Sequence, residues 1–129
     1  MKHKKSDNFE TKSVSSSLVR FAIDFKPEFV SDEVKQIAQL SLFDWFVVSL
    51  AGQTEPVSNI IRGQIKSDGG AEDCTVIGTT QRFPARASAL ANGTTSHALD
   101  YDDTHFAYLG HPSVAIIPAA IAIGEKTNA

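Results

Sequence analysis

The sequence predicts an all-α fold, mainly helical, with one short extended segment near 74–78. Three observations carry that expectation. Apolar residues recur three and four positions apart in successive segments, the spacing that lines one face of a helix. Residues that start and stop helices bracket those segments. β-Type character is confined to the single run Cys74–Ile77, which ends at Gly78.

Taken in order, residues 1–14 read as a polar flexible tail and 15–129 as one partial helical domain. Leu18, Phe21, Ala22 and Phe25 fall at helical spacing, with Ser15 to Ser17 as candidate N-caps. Pro27 ends that helix, because the residue before a proline is pushed out of the helical region. Ser31-Asp32-Glu33 opens the second helix with a cap and acidic residues that suit the positive end of the helix dipole. Val34, Ile37, Ser41, Trp45 and Val48 mark one face, and Leu40, Phe43, Val47 and Leu50 another. A helix apolar on so much of its surface is expected to be buried on most sides, with Gly52 as its C-cap. Pro56 opens a third helix to about residue 67, with Val57, Ile60, Ile61 and Ile65 facing inward. Asp68-Gly69-Gly70 is a turn.

An Ala-rich helix follows from about Ala85 to His97. Asn92-Gly93 is ordinarily a turn signal, but it falls inside this helical pattern, where a glycine permits close helix packing. His111-Pro112-Ser113 begins the last helix, with proline in the first turn. Pro118 inside that helix should kink it and free a carbonyl. The chain reaches Ala129 without a clear terminating signal, and its second and last helices are more apolar than a small bundle can bury.

Bulk properties remove several function classes. A formal charge of −3 leaves no basic face for nucleic acid. The longest apolar runs fall well short of the roughly 20 residues of a membrane span, and the charged N-terminus has no apolar core of a secretory signal. The single cysteine, Cys74, makes no internal disulfide and favours a reducing compartment. It is also too few for an iron–sulfur cluster, and in Cys-Thr-Val-Ile-Gly it reads as a small buried hydrophobe. A cytoplasmic protein without nucleic-acid or membrane partners is the expectation.

Chemistry concentrates in one stretch, Asn92 to Ser113, between apolar flanks. It holds His97, Asp100, Asp102, Asp103, Thr104, His105 and His111. Three carboxylates this close can hold one another's protons near neutral pH when enclosed. Thr104 offers a hydroxyl donor. His111 precedes a helix N-terminus, whose free N–H groups favour an anion. The set suits small polyanionic acids undergoing proton chemistry beside a carbonyl carbon. Each residue also has a plainer reading. The aspartates can be caps and turn formers, His97 a dipole partner at a helix C-terminus, and His105 merely exposed. A metal set of Asp100, Asp102, Asp103, His105 and His111 matches no zinc or calcium spacing, so no metal is expected.

At these residues the chain resembles the MmgE/PrpD family, which includes 2-methylcitrate dehydratase, cis-aconitate decarboxylase and iminodisuccinate epimerase. The matching text runs from Ala89 through Asn92-Gly-Thr-Thr-Ser-His97-Ala-Leu-Asp100-Tyr-Asp-Asp-Thr104-His105, then His111-Pro-Ser and Ile117 to Glu125. Leu42-Phe-Asp44-Trp, Leu50-Ala-Gly52 and Gly69-Gly70 leading to Cys74-Thr-Val-Ile-Gly78 add to it. The resemblance implies the first part of a large helical domain, with a smaller α/β lid elsewhere and the active site between them. It implies Asp100 and His111 as catalytic, Thr104 with its neighbour Asp103 as substrate-binding, and neither metal nor organic cofactor. The implied activity is that of a lyase on small di- or tricarboxylic acids, most of all a 2-methylcitrate dehydratase-like hydro-lyase, with decarboxylase and epimerase as alternatives on the same scaffold. The implied partner is a second copy in a homodimer or a missing C-terminal remainder. A chain of this length, lacking the lid and the remaining catalytic positions, could also be a non-catalytic fragment.

Overall fold

The computed structural model describes residues 13–107 and 109–129. Its elements are α1 (Val14–Asp24), a 3-10 turn at Pro27–Phe29, α2 (Asp32–Gly52), α3 (Pro56–Asp68), β1 (Cys74–Thr75), β2 (Arg82–Phe83), α4 (Ala85–Ser96) and α5 (Pro112–Thr127). The mainly helical fold is therefore as expected. The chain divides into two compact units, one up to Asp32 and the other from Glu33 onward.

In the first unit, α1 starts earlier than the expected caps. Ser13 has extended backbone angles and its hydroxyl accepts from the Ser16 N–H at 3.2 Å, so Ser13 is the N-cap. Ser15, Ser16 and Ser17 lie inside the helix. The helix stops at Asp24, ahead of Pro27, which opens the 3-10 turn instead. Phe21 and Phe25 tilt against each other with ring centres 6.1 Å apart. Most of the tail expected over 1–14 lies outside the described residues; Val14 is already helical.

The second unit is organised around α4, whose small residues let its neighbours come close. Ala91, Asn92, Thr95 and Ser96 are all buried. One core cluster joins Ile65, Val76, Phe83 and Ala91, with Ile61 and Ala87 packed on it. Another joins Cys74, Ala85 and Ala122. Each large buried aliphatic contributes about 1.5–3 kcal/mol relative to exposure. Asn92 also completes the extended segment: its Oδ1 accepts from the Ile77 N–H at 2.9 Å and its Nδ2 donates to the Thr75 carbonyl at 3.0 Å. A helix side chain thus serves as the missing neighbour strand for β1.

Close approach explains two glycines. Gly52 is not a left-handed cap; it is the last residue of α2, and a Cβ there would overlap the Thr95 carbonyl of α4. Gly93 faces α5 as the sequence suggested. A Cβ there would stand 3.1 Å from the Val114 carbonyl oxygen and 3.6 Å from Pro118. That carbonyl is the one Pro118 leaves without its helical donor. The helix continues through Pro118 and closes on Asn128 in the left-handed region (φ 54°), so α5 does have a terminating cap.

Three further expectations change. The extended segment is one arm of an antiparallel hairpin, Cys74 opposite Phe83 and Thr75 opposite Arg82, so a second strand was missed. The inner line of α3 is Ser58, Ile61 and Ile65, while Val57 and Ile60 are exposed. Ser58 Oγ donates to the Gly52 carbonyl at 2.8 Å, which holds that side of the helix inward. Finally, α2 is not buried on most sides. Trp45, Val48, Ser49 and Gly52 are buried, but Ile37, Leu40, Phe43 and Val47 are exposed.

At the far end of α5, Glu125 joins that helix to β1. Its carboxylate accepts from the Thr75 N–H at 2.7 Å and the Thr75 hydroxyl at 2.6 Å. Burial pushes the Glu125 pKa up, but the two Thr75 donors and Arg82 outweigh it and hold the group below the usual carboxylate value. No helix among the described residues is long and apolar enough to cross a membrane.

Candidate active site

α4 ends at Ser96 with His97 as its C-cap, the His97 N–H donating back to the Gly93 carbonyl at 3.2 Å. The chain then turns tightly: the Asp100 N–H donates to the His97 carbonyl at 3.1 Å and Asp100 takes a left-handed backbone, φ 54°. Aspartate tolerates that region better than most residues, at a cost of order 1 kcal/mol. The turn sets the Asp100 side chain beside its own helix end. The His105 N–H donates to the Gly110 carbonyl at 2.9 Å, and the next residue, His111, is the N-cap position of α5.

Asp103 fixes the start of α5. Its two oxygens accept from the Ser113 N–H at 3.1 Å and the Ser113 hydroxyl at 2.7 Å. Asp102 turns the opposite way, inward, with its side chain 1% exposed. His97 Nδ1 lies 2.8 Å from Asp102 Oδ1. His111 Nδ1 lies 3.3 Å from that same oxygen and 3.2 Å from the Asp102 carbonyl. The two imidazoles meet edge to face, centres 4.8 Å apart. Asp102 Oδ2 is buried without a hydrogen-bond partner among the described residues.

This network assigns the protons. A carbonyl and a carboxylate can only accept, so each Nδ1 is the donor and carries hydrogen. Both Nε2 atoms are left to face one carboxylate. Asp100 Oδ1 lies 3.8 Å from His97 Nε2 and 3.7 Å from His111 Nε2. Those distances are too long for direct hydrogen bonds. Two ring nitrogens and a carboxylate thus converge on one point. A buried aspartate that orients two histidines, whose outer nitrogens face a common exposed point, is the arrangement of general acid–base chemistry.

Of the residues singled out from sequence, Asp100 and His111 come together, Asp103 is engaged with Ser113, and Thr104 stands exposed in the loop that follows. Two members of the cluster, His97 and Asp102, were named among the polar residues of the stretch but given no catalytic or binding role. His97 is not only a helix-end residue, and Asp102 is the buried hub. The spacing His97 to Asp102 was the available signal, but only a known turn makes five residues a contact.

The match to known families covers almost all of this: residues 16–129 match the MmgE/PrpD N-terminal domain. The chain belongs to the MmgE/PrpD family. It is a family of dehydratase- and decarboxylase-type enzymes. Among curated relatives, a cis-aconitate decarboxylase-like protein of Aspergillus oryzae is 29% identical over 113 residues, 88% of this chain. The same match spans 23% of that relative, so the chain corresponds to about a quarter of its length.

Proposed function

We propose that this chain forms one wall of a lyase active site for small di- and tricarboxylates, in which a proton is abstracted beside a carboxylate and water then leaves, as in 2-methylcitrate dehydratase. The carrying observation is the convergence of His97 Nε2, His111 Nε2 and the Asp100 carboxylate above the buried Asp102. His111, the more enclosed imidazole, takes or returns the proton together with Asp100. Asp102 holds both rings in the productive tautomer. Thr104 donates to a substrate carboxylate, and Asp103 supports that binding by fixing the N-terminus of α5 through Ser113. A second reading, loss of carbon dioxide instead of water, is favoured by the description of the Aspergillus relative. The exposed apolar residues of α2 support a further covering surface, from a second copy or from the rest of the family sequence.

The test follows proton exchange, dehydration and decarboxylation by NMR with 2-methylcitrate, citrate and cis-aconitate. The chain is assayed alone and with the remainder of a family sequence supplied. Water loss that appears only with the remainder supports the first reading, and carbon dioxide release from cis-aconitate the second. No turnover from a folded, assembled mixture would make the chain a non-catalytic member.

A further inference from the structure

We propose that Asn92-Gly93 is a deamidation site that the fold keeps shut, and that parting of α4 from the hairpin opens it to an irreversible modification. Asparagine before glycine is the pair best suited to this reaction, because glycine leaves its backbone nitrogen unshielded by a Cβ. Of the chain's four asparagines, Asn8, Asn59, Asn92 and Asn128, only Asn92 precedes a glycine. The Gly93 nitrogen attacks the Asn92 side-chain Cγ, the Cγ–Nδ2 bond breaks, and ammonia leaves as a cyclic succinimide forms. Water then adds to either ring carbonyl, giving aspartate or the β-linked isoaspartate. The net change is amide plus water to carboxylic acid plus ammonia, with nothing oxidised or reduced.

Three features block that attack in the folded chain. Asn92 is only 3% exposed, which keeps water from it. Its amide is engaged at both ends by β1, Oδ1 with the Ile77 N–H and Nδ2 with the Thr75 carbonyl, so the side chain is not folded back on Gly93. Gly93 itself lies inside α4, where the helical backbone ties its N–H into the i→i−4 ladder. Ser88, a turn earlier, fastens the same joint, with its Oγ 3.2 Å from both the Cys74 and the Phe83 carbonyls. A local opening of this joint frees the amide and the backbone together. Neither product restores the joint. Aspartate still accepts from the Ile77 N–H, but it has no N–H for the Thr75 carbonyl and sets a carboxylate against it. Isoaspartate adds a backbone atom inside α4, immediately before the glycine whose missing Cβ admits the Val114 carbonyl, and upstream of His97. Each opening therefore risks a one-way loss of the helix end that carries the acid–base cluster.

The reaction at Asn92 does not depend on the lyase reading, so the readout is the modification and the fold, not turnover. The chain is incubated at neutral pH, folded and in urea, and peptide mapping by mass spectrometry follows amide-to-acid conversion at each asparagine. In urea Asn92 should convert first. In the folded chain its conversion should be at least about tenfold slower, the factor expected of a reaction confined to the open fraction. Ser88→Ala removes a hydroxyl from the joint and should speed the folded-state reaction by about fivefold, with the rate in urea unchanged. The consequence is read separately. Isoaspartate chains purified from the urea sample should not regain wild-type helical content by circular dichroism on dilution. Asn92→Asp, the other product, should melt at lower urea than wild type. Equal rates at Asn92 in folded and unfolded chains overturn the shut site, and a Ser88→Ala rate equal to wild type overturns its control by the hairpin joint. Full recovery of helix by the isoaspartate chain, with a wild-type midpoint for Asn92→Asp, overturns the one-way loss.

Discussion

At the C-terminal end of α5, each Glu125 oxygen accepts a hydrogen bond from Thr75, one from its N–H and one from its hydroxyl, and Arg82 stands 3.9 Å away. At the N-terminal end of the same helix, Asp102 has one oxygen near two imidazoles and another with no partner among the described residues, while Asp100 faces two ring nitrogens beyond hydrogen-bond distance. The first joins residues 50 positions apart, whereas the second gathers four residues from the single stretch 97–111. The first is closed and ties elements together. The second is left open toward solvent, and openness at a fixed geometry is what binding and proton transfer require. The contrast separates a carboxylate that holds the fold from carboxylates available for chemistry.

The largest expected effect tests the open end. In a protein carrying this chain with the rest of the family sequence, His111→Ala should lower turnover by about 10²–10⁴-fold, the usual range for a general acid–base residue. Helical content should stay close to wild type. Normal steady-state turnover on every tricarboxylate tried would remove His111 from the mechanism. Next comes packing between the two ends. Gly93→Ala pushes a methyl against the Val114 carbonyl and should destabilise by about 1–3 kcal/mol. An unchanged denaturation midpoint would mean that the α4–α5 contact yields easily.

Glu125→Gln tests the closed end, with an expected loss of about 1 kcal/mol in stability and turnover kept. If this substitution instead abolished activity with stability intact, the distinction between the two clusters would fail. The smallest effect is its pH dependence. The folded Glu125 pKa is depressed, so its stabilisation is fully present above the ordinary carboxylate value of about 4.3. It fades as pH falls through the lower folded value. The stability gap between wild type and Glu125→Gln should therefore narrow in acid, and urea melts from pH 6 down to strongly acidic pH would reveal a gap that does not.

Much of this was legible in the sequence, and the boundary is physical. Prolines 56 and 112 marked helix starts, and Gly93 marked a close approach, because those residues act through local backbone geometry. The β2 arm was not legible, since two residues carry no periodicity. Nor was the inner line of α3, which a single hydrogen bond from Ser58 helps to set. The density of aspartate and histidine between Asn92 and Ser113 located the site. The roles within it depended on left-handed turns at Asp100 and Leu109, which decide whether a side chain points into the cluster or away. Asp102 and Asp103 are adjacent, yet one anchors the histidines and the other holds Ser113.

The hairpin supplies its own reporter. Cys74 is the chain's one thiol; it is fully buried, and its Sγ donates to the Ala122 carbonyl of α5 at 3.1 Å. Burial, with Glu125 and Asp73 nearby, raises its pKa, so little reactive thiolate exists in the closed form. An alkylating reagent reaches that sulfur only when α5 lifts from β1. When reclosing is faster than the chemistry, the labelling rate divided by that of an unfolded peptide gives the fraction of time the joint stands open. The free energy of one local opening can thus be read without denaturant from a single modified atom, and its change in Glu125→Gln would gauge the staple directly.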